Sequence, residues 1–178
     1  MEAQKGAEKP EILIIQTGGT IDKRYPRQPG AHAFKVGESA VRAILCRVQP
    51  EIRHHLEPMF QLDSNEMTHE HREAIAAFCV NSGMSMIVIT HGTDTMIKTA
   101  THLSLRLRLM TDEMPIVVLT GSALPASDRE TDAEFNLGFA CGVVQTLTPD
   151  VYIAMQGRVY TWNGVERDSN GRFIEKVE

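Results

Sequence analysis

The sequence predicts an α/β protein, a single domain built on a mostly parallel sheet flanked by helices. Three observations predict it. Short β-branched apolar runs alternate with stretches of helical periodicity, the pattern of crossover connections. Each apolar run ends in a small, polar, glycine-containing turn, as buried strands commonly do. With 178 residues, 42% of them hydrophobic, the chain suits one compact core that needs no disulfides.

The elements follow in order. Residues 1–10 are charged and polar and lack the apolar stretch of a secretory signal, so they read as a flexible N-terminus ahead of a domain over 11–178. Residues 11–16 carry the run ILII and lead into TGGT; this is the first strand. Residues 22–34 hold two prolines, a glycine and mixed charge without a period, which predicts a loop of the kind that covers a site. Helical spacing of apolar residues appears over 38–47, 68–80, 98–110 and 133–147. Three further strands are Met86–Thr90, Ile116–Thr120 and Val151–Met155, ending at HGTDT, GSALP and QGR. If the four strands are parallel, their terminal turns gather at one sheet edge, where open α/β sheets bind ligands. The polar tail 168–178 is expected to fray or pack loosely.

Composition excludes several functions. Net charge is −5 with few aromatics, so neither the basic stripe nor the stacking platform of a nucleic-acid binder is present. Arg106 and Arg108 alternate with leucines and read as a solvated helix face. No apolar run is long enough to span a membrane. Cys46, Cys79 and Cys141 are odd in number and widely spaced; they read as free, mostly buried thiols of a reducing, cytoplasmic compartment. His69 and His71 are two apart on a helix and do not share a face, so a surface role outweighs a metal site there. No glycine-rich phosphate cradle is found.

Three constellations could carry chemistry. Thr17-Gly18-Gly19-Thr20 offers hydroxyl nucleophiles and a tight turn whose N–H groups could stabilise an oxyanion; a plain strand-to-loop turn is the alternative. In His91-Gly92-Thr93-Asp94-Thr95, Asp94 could hold an ammonium and Thr93 could pass protons; the alternative is that Asp94 or Thr95 caps the next helix. Residues 63–68, DSNEMT, are dense in short polar groups that could bind a zwitterion; the alternative is again a helix cap.

Taken together, TGGTI at 17–21, DSNEMT at 63–68, THGTDTM at 90–96, LTGSALP at 119–125 and TDAEFNL at 131–137 resemble the amino-terminal domain of the bacterial-type L-asparaginases, a family that includes the glutaminase-asparaginases. The resemblance runs from about residue 11 to about residue 158, and the size is that of a short-chain form without the second domain. It implies that Thr20 is the nucleophile, Thr93 the second catalytic threonine, and Asp94 the group that binds the substrate amine. It implies Ser64 for the α-carboxylate, helped by Asn65, with Gly19, Asp63 and Ser122 completing the substrate-binding set. An acyl-enzyme route from L-asparagine to L-aspartate and ammonia follows, with no metal and no other cofactor.

There are three departures. The family carries a lysine after the fourth strand, and the segment VYTWNGVER places Arg167 there; arginine supplies a positive field but cannot act as a base. Lys98, nearest in sequence to HGTDT, sits within a helix and is expected to face outward. The family's supporting loop tyrosine has Phe34 in its place, which leaves Tyr25, five residues past Thr20, as the candidate. The carboxyl-terminal domain is missing, which predicts exposed apolar surface and a homo-oligomer. The partner class is a small-molecule amino acid, with no nucleic acid and no membrane. Two other readings stay open: a binding protein that keeps the pocket without turnover, and an amidase for glutamine or another amide.

Overall fold

A computed structural model describes residues 9–26 and 33–176. The strands are β1 (Glu11–Gly18), β2 (Lys23–Arg24), β3 (Lys35–Val36), β4 (Arg53–Leu62), β5 (Met86–Thr90), β6 (Ile116–Thr120), β7 (Val151–Met155), β8 (Arg158–Thr161), β9 (Val165–Arg167) and β10 (Phe173–Glu175). The helices are α1 (Val41–Val48), α2 (His69–Asn81), α3 (Met96–Met110) and α4 (Ala133–Val143).

Six strands form one sheet in the order β4-β1-β5-β6-β7-β8. The first five run parallel, and β8 returns antiparallel to β7. Alternation along β1 shows why helices cover both faces. Ile12 and Ile14 pack in one core with Ile44 of α1 and Leu137 of α4. Leu13 and Ile15 pack in the other with Ile75 of α2 and Leu103 of α3. Successive strand residues point to opposite faces, so a strand buried on both sides reads as an unbroken apolar run. On α3 the buried residues Met96, Thr99, Ala100, Leu103, Ser104 and Leu107 follow the helical repeat.

The α/β reading and the four apolar strands hold; several details are corrected. The sequence predicts four parallel strands, and the structure adds β4 as a fifth. It is half-exposed at the sheet edge and contains Pro58, so it lacks the apolar signature. Pro58 opposes Gln16 just before the register shifts between Gln16 and Gly18, and such positions tolerate proline. Helix α1 starts at Val41 rather than at 38, and α4 ends at Val143, with 144–147 continuing as turns. The tail is not loose up to residue 176: β10 pairs with β9, Phe173 is buried, and its carbonyl accepts from Tyr160 Oη at 2.8 Å. Loop 22–34 is bounded by the β2–β3 pairing; its residues 27–32, like the N-terminal residues 1–8, lie outside the described residues. Cys79 and Cys141 are buried, Cys46 is exposed, and all three are free. Among the described residues no helix is long and apolar enough to cross a membrane.

Candidate active site

The carboxyl ends of β1 and β5 lie side by side, because these strands pair in register from Leu13↔Ile87 to Gln16↔Thr90. Thr17 Oγ1 donates to the Thr90 carbonyl oxygen at 2.8 Å and fastens the two ends together. Just beyond, Gly19 takes φ 87° and ψ −172°, a conformation that only glycine adopts without strain. Its backbone presses on Gly92: a Cβ at Gly19 would stand 2.4 Å from the Gly92 nitrogen. Thr20 and Thr93 are the next residue in each strand end. Each opens a 3-10 turn, Thr20–Asp22 and Thr93–Thr95, and the first N–H groups of such a turn have no partner within it. Both threonines are partly exposed.

The segment 63–68 closes the third side. A Cβ at Gly92 would meet Ser64 Oγ at 2.7 Å, so Ser64, itself buried, lies against the HGTDT backbone. Thr95 Oγ1 donates to the Ser64 carbonyl at 2.7 Å. Asn65 Nδ2 donates to Asp94 Oδ2 at 2.9 Å and to Asp63 Oδ1 at 3.2 Å. Asp63 caps its turn with a reciprocal Glu66 contact and pairs with Lys23 Nζ at 2.6 Å. Lys23 holds the Asp63 carboxyl below the usual carboxylate range, helped by the Asn65 N–H. Carboxylate, amide and hydroxyl side chains from two loops therefore line one rim.

Arg167, on the β9–β10 hairpin, reaches this rim. Its Nη1 donates to the Thr93 carbonyl at 2.6 Å and lies 3.8 Å from Asp94 Oδ1. The guanidinium rests over the Phe173 ring, 5.1 Å from its centroid. The structure thus brings Arg167, Thr93 and Asp94 together, with the arginine bonded to main chain at Thr93. Lys98 is exposed. Ser122 is buried and donates to the Leu124 carbonyl at 2.5 Å, shaping the GSALP turn. Tyr25 is exposed and meets Phe34 edge-on with ring centroids 5.7 Å apart; both face a groove that Asp22, Arg42 and Cys46 also line and Thr20 does not.

The capping alternatives divide. Residues 63–68 do cap: Asp63 caps its turn and Thr68 caps α2 in a box with His71. Asp94 and Thr95 do not; α3 begins without a side-chain cap, since Thr95 is turned to Ser64. Capping and a place on the rim coexist in Asp63.

Residues to which the sequence reading gives no role support the site from behind. Arg72 is 3% exposed. It donates to Thr99 Oγ1 at 2.9 Å, to the Met67 and Thr68 carbonyls at 2.7 and 3.0 Å, and to Thr95 Oγ1 at 3.2 Å. It ties the 63–68 loop to the start of α3. A signal for it exists: positions 72, 75, 76 and 79 follow the helical repeat of the buried face of α2. His91 is fully buried, with Nε2 2.9 Å from Thr99 Oγ1 and Nδ1 2.7 Å from the Gly92 carbonyl; burial pushes its pKa down to about 4. The TDAEFNL segment is structural. Asp132 accepts from the Ala123 and Leu124 N–H groups, and buried Asn136 bridges the Gly121 carbonyl and the Gln156 N–H.

Comparison with known proteins bears on the family and the fold. The family model "Asparaginase, N-terminal" matches residues 11–173. An L-asparaginase of Bacillus licheniformis is 33% identical over 171 residues, covering 94% of this chain and 50% of the relative. A glutamyl-tRNA(Gln) amidotransferase subunit of Pyrococcus furiosus is 35% identical over 165 residues, covering 88% of this chain and 36% of the relative. The thermostable L-asparaginase of Thermococcus kodakarensis superposes with a TM-score of 0.75 at 28% identity, over 93% of this chain and 51% of that one. L-asparaginase I of Vibrio cholerae does so with a TM-score of 0.77 at 26% identity, over 94% and 52%. The chain spans half or less of the length of the curated relatives it matches.

Proposed function

The chain belongs to the asparaginase family, and from that premise we propose that it hydrolyses the side-chain amide of L-asparagine to L-aspartate and ammonia. The observation that carries the reading is the Gly19–Gly92 contact, which leaves Thr20 and Thr93 as neighbours on adjacent strand ends. Asp94 receives the substrate ammonium, freed for it by exchange of the Asn65 amide contact. Ser64 and Asn65 receive the α-carboxylate. Thr20 Oγ attacks the carboxamide carbon, and its proton passes to the leaving amine by way of Thr93, so that ammonia departs and an ester on Thr20 remains. Water then attacks the ester and returns the proton to Thr20. N–H groups at the open ends of the two 3-10 turns hold the oxyanion. Arg167 adds a fixed positive charge beside Thr93, and it does not take a proton. We place the protein among homo-oligomers of the cytoplasm.

A second reading rests on the amidotransferase subunits among the relatives: the same site would act on glutamine or on another amide. The two substrates differ by one methylene, worth about 1–3 kcal/mol in a pocket. The test is ammonia release from L-asparagine and L-glutamine by the wild type and Thr20→Ala. The proposal predicts turnover of asparagine, at least tenfold preferred, and a loss of several orders of magnitude in the variant, on the order of 10³-fold or more. Preference for glutamine favours the second reading. Aspartate binding without ammonia release marks a binding protein, and turnover that survives Thr20→Ala overturns the nucleophile.

A further inference from the structure

The two helices that follow the substrate-binding loops meet on their outer side in a cluster of imidazole and carboxylate. His69 and Glu73 are one turn apart on α2 and so share a face. His102 reaches them from α3. Glu73 Oε1 lies 2.9 Å from His102 Nε2 and 3.9 Å from His69 Nε2, and one ligand atom from each residue falls within 4.8 Å of the others. The rings of His69 and His102 meet edge-on, centroids 5.0 Å apart.

These spacings are those of a metal's ligands. Two donors each bound at ~2.1 Å to a tetrahedral zinc ion stand ~3.4 Å apart, between the 2.9 and 3.9 Å separations here. Glu73 Oε1 and His102 Nε2 are buried, and neither makes a hydrogen bond of acceptable geometry although they are close. Buried polar atoms are normally satisfied; this pair stands 2.9 Å apart without a well-aligned hydrogen bond, and a shared cation would satisfy both. Arg106 Nε donates to Glu73 Oε2 at 3.0 Å, which orients the carboxylate from outside, as second partners of metal ligands do. Arg106 also lies 2.8 Å from Oε1, so a cation must displace that contact while the Oε2 bond remains. His69 is exposed and provides the way in.

We propose that His69, Glu73 and His102 bind a divalent transition-metal ion of the zinc class, with water as fourth ligand. Two imidazoles and a carboxylate suit zinc better than magnesium or calcium, which take oxygen ligands. The ion would join the start of α2 to α3, immediately behind residues 63–68 and 93–95, and would act on the stability of that junction rather than on the reaction.

The test is zinc titration of the full, tag-free, chelator-stripped chain under reducing conditions, by calorimetry and by thermal unfolding. One equivalent should bind and raise Tm. His69→Ala, His102→Ala and Glu73→Gln should each weaken binding at least tenfold, while His54→Ala and Cys46→Ser leave it unchanged. Because His69 is exposed, His69→Ala keeps the test valid even if Glu73→Gln, which disturbs Arg106, fails to fold. Absence of a bound equivalent, wild-type binding in both histidine variants, or loss of binding in Cys46→Ser overturns the proposal.

Discussion

Gly19 and Gly92 touch backbone to backbone, so closely that a Cβ on Gly19 would come 2.4 Å from the Gly92 nitrogen. This contact fixes the distance between the two threonine-bearing turns. Gly19→Ala adds a clash with main chain to a positive φ of 87°, and strain at such positions alone costs about 1–3 kcal/mol. Urea unfolding should show a loss of at least that size, with asparagine hydrolysis abolished. Gly138→Ala is the control. Gly138 lies in α4 with open space around it, so alanine there should be neutral or should stabilise by up to ~1 kcal/mol.

Arg167 bonds the Thr93 carbonyl and faces Asp94 across 3.8 Å. If it acts through its charge, Arg167→Met should lower kcat by about tenfold to a hundredfold, the rate equivalent of the roughly 1.5–3 kcal/mol of a charged hydrogen bond. Arg167→Lys should recover part of the rate and add a pH dependence that the wild type lacks, since lysine titrates and arginine does not. Steady-state pH profiles of the three proteins check this; identical profiles in all three would assign Arg167 a purely structural part.

Asp94 is exposed; it accepts from Asn65 and faces Arg167 across 3.8 Å. Asp94→Asn removes the charge proposed to hold the substrate ammonium while keeping shape. KM for asparagine should rise by one to two orders of magnitude, since a charged hydrogen bond contributes roughly 1.5–3 kcal/mol. An unchanged KM would move ammonium binding elsewhere.

His91 gives a pH signature to stability. Its folded pKa is about 4, below the ~6.5 of an unfolded histidine, so the unfolded chain binds the extra proton between these values. Unfolding free energy is therefore at its full value above about pH 6.5 and falls as pH drops toward 4. The contribution is ~3 kcal/mol over that window, since each tenfold change in proton affinity is worth about 1.4 kcal/mol. Urea midpoints measured from pH 7 to pH 4.5 should fall, and His91→Gln should flatten the fall.

The legible part of this protein is the part whose physics is local. β5, β6 and β7 announce themselves as short apolar runs because both faces are buried. Thr20, Thr93, Ser64 and Asp94 lie at strand ends or in a capped loop, where short polar motifs stand out. β4 escapes a reading of the sequence because an edge strand with Pro58 and two exposed histidines carries no apolar period. The β9–β10 hairpin escapes for the same reason; its order comes from Phe173 and Tyr160, partners set by tertiary packing. The Arg167 contact with Thr93 spans 74 residues, and the meeting of His69 with His102 depends on how α2 packs on α3. Arg72 is within reach of sequence reasoning, since its register on α2 is that of the buried residues.

The structure of the complex with L-aspartate tests the central claim most directly. The product's side-chain carboxyl carbon should lie within ~3.5 Å of both Thr20 Oγ1 and Thr93 Oγ1, near-attack distance, with its ammonium on Asp94. A carboxyl that sits apart from either hydroxyl, or an aspartate bound in another groove, would contradict it.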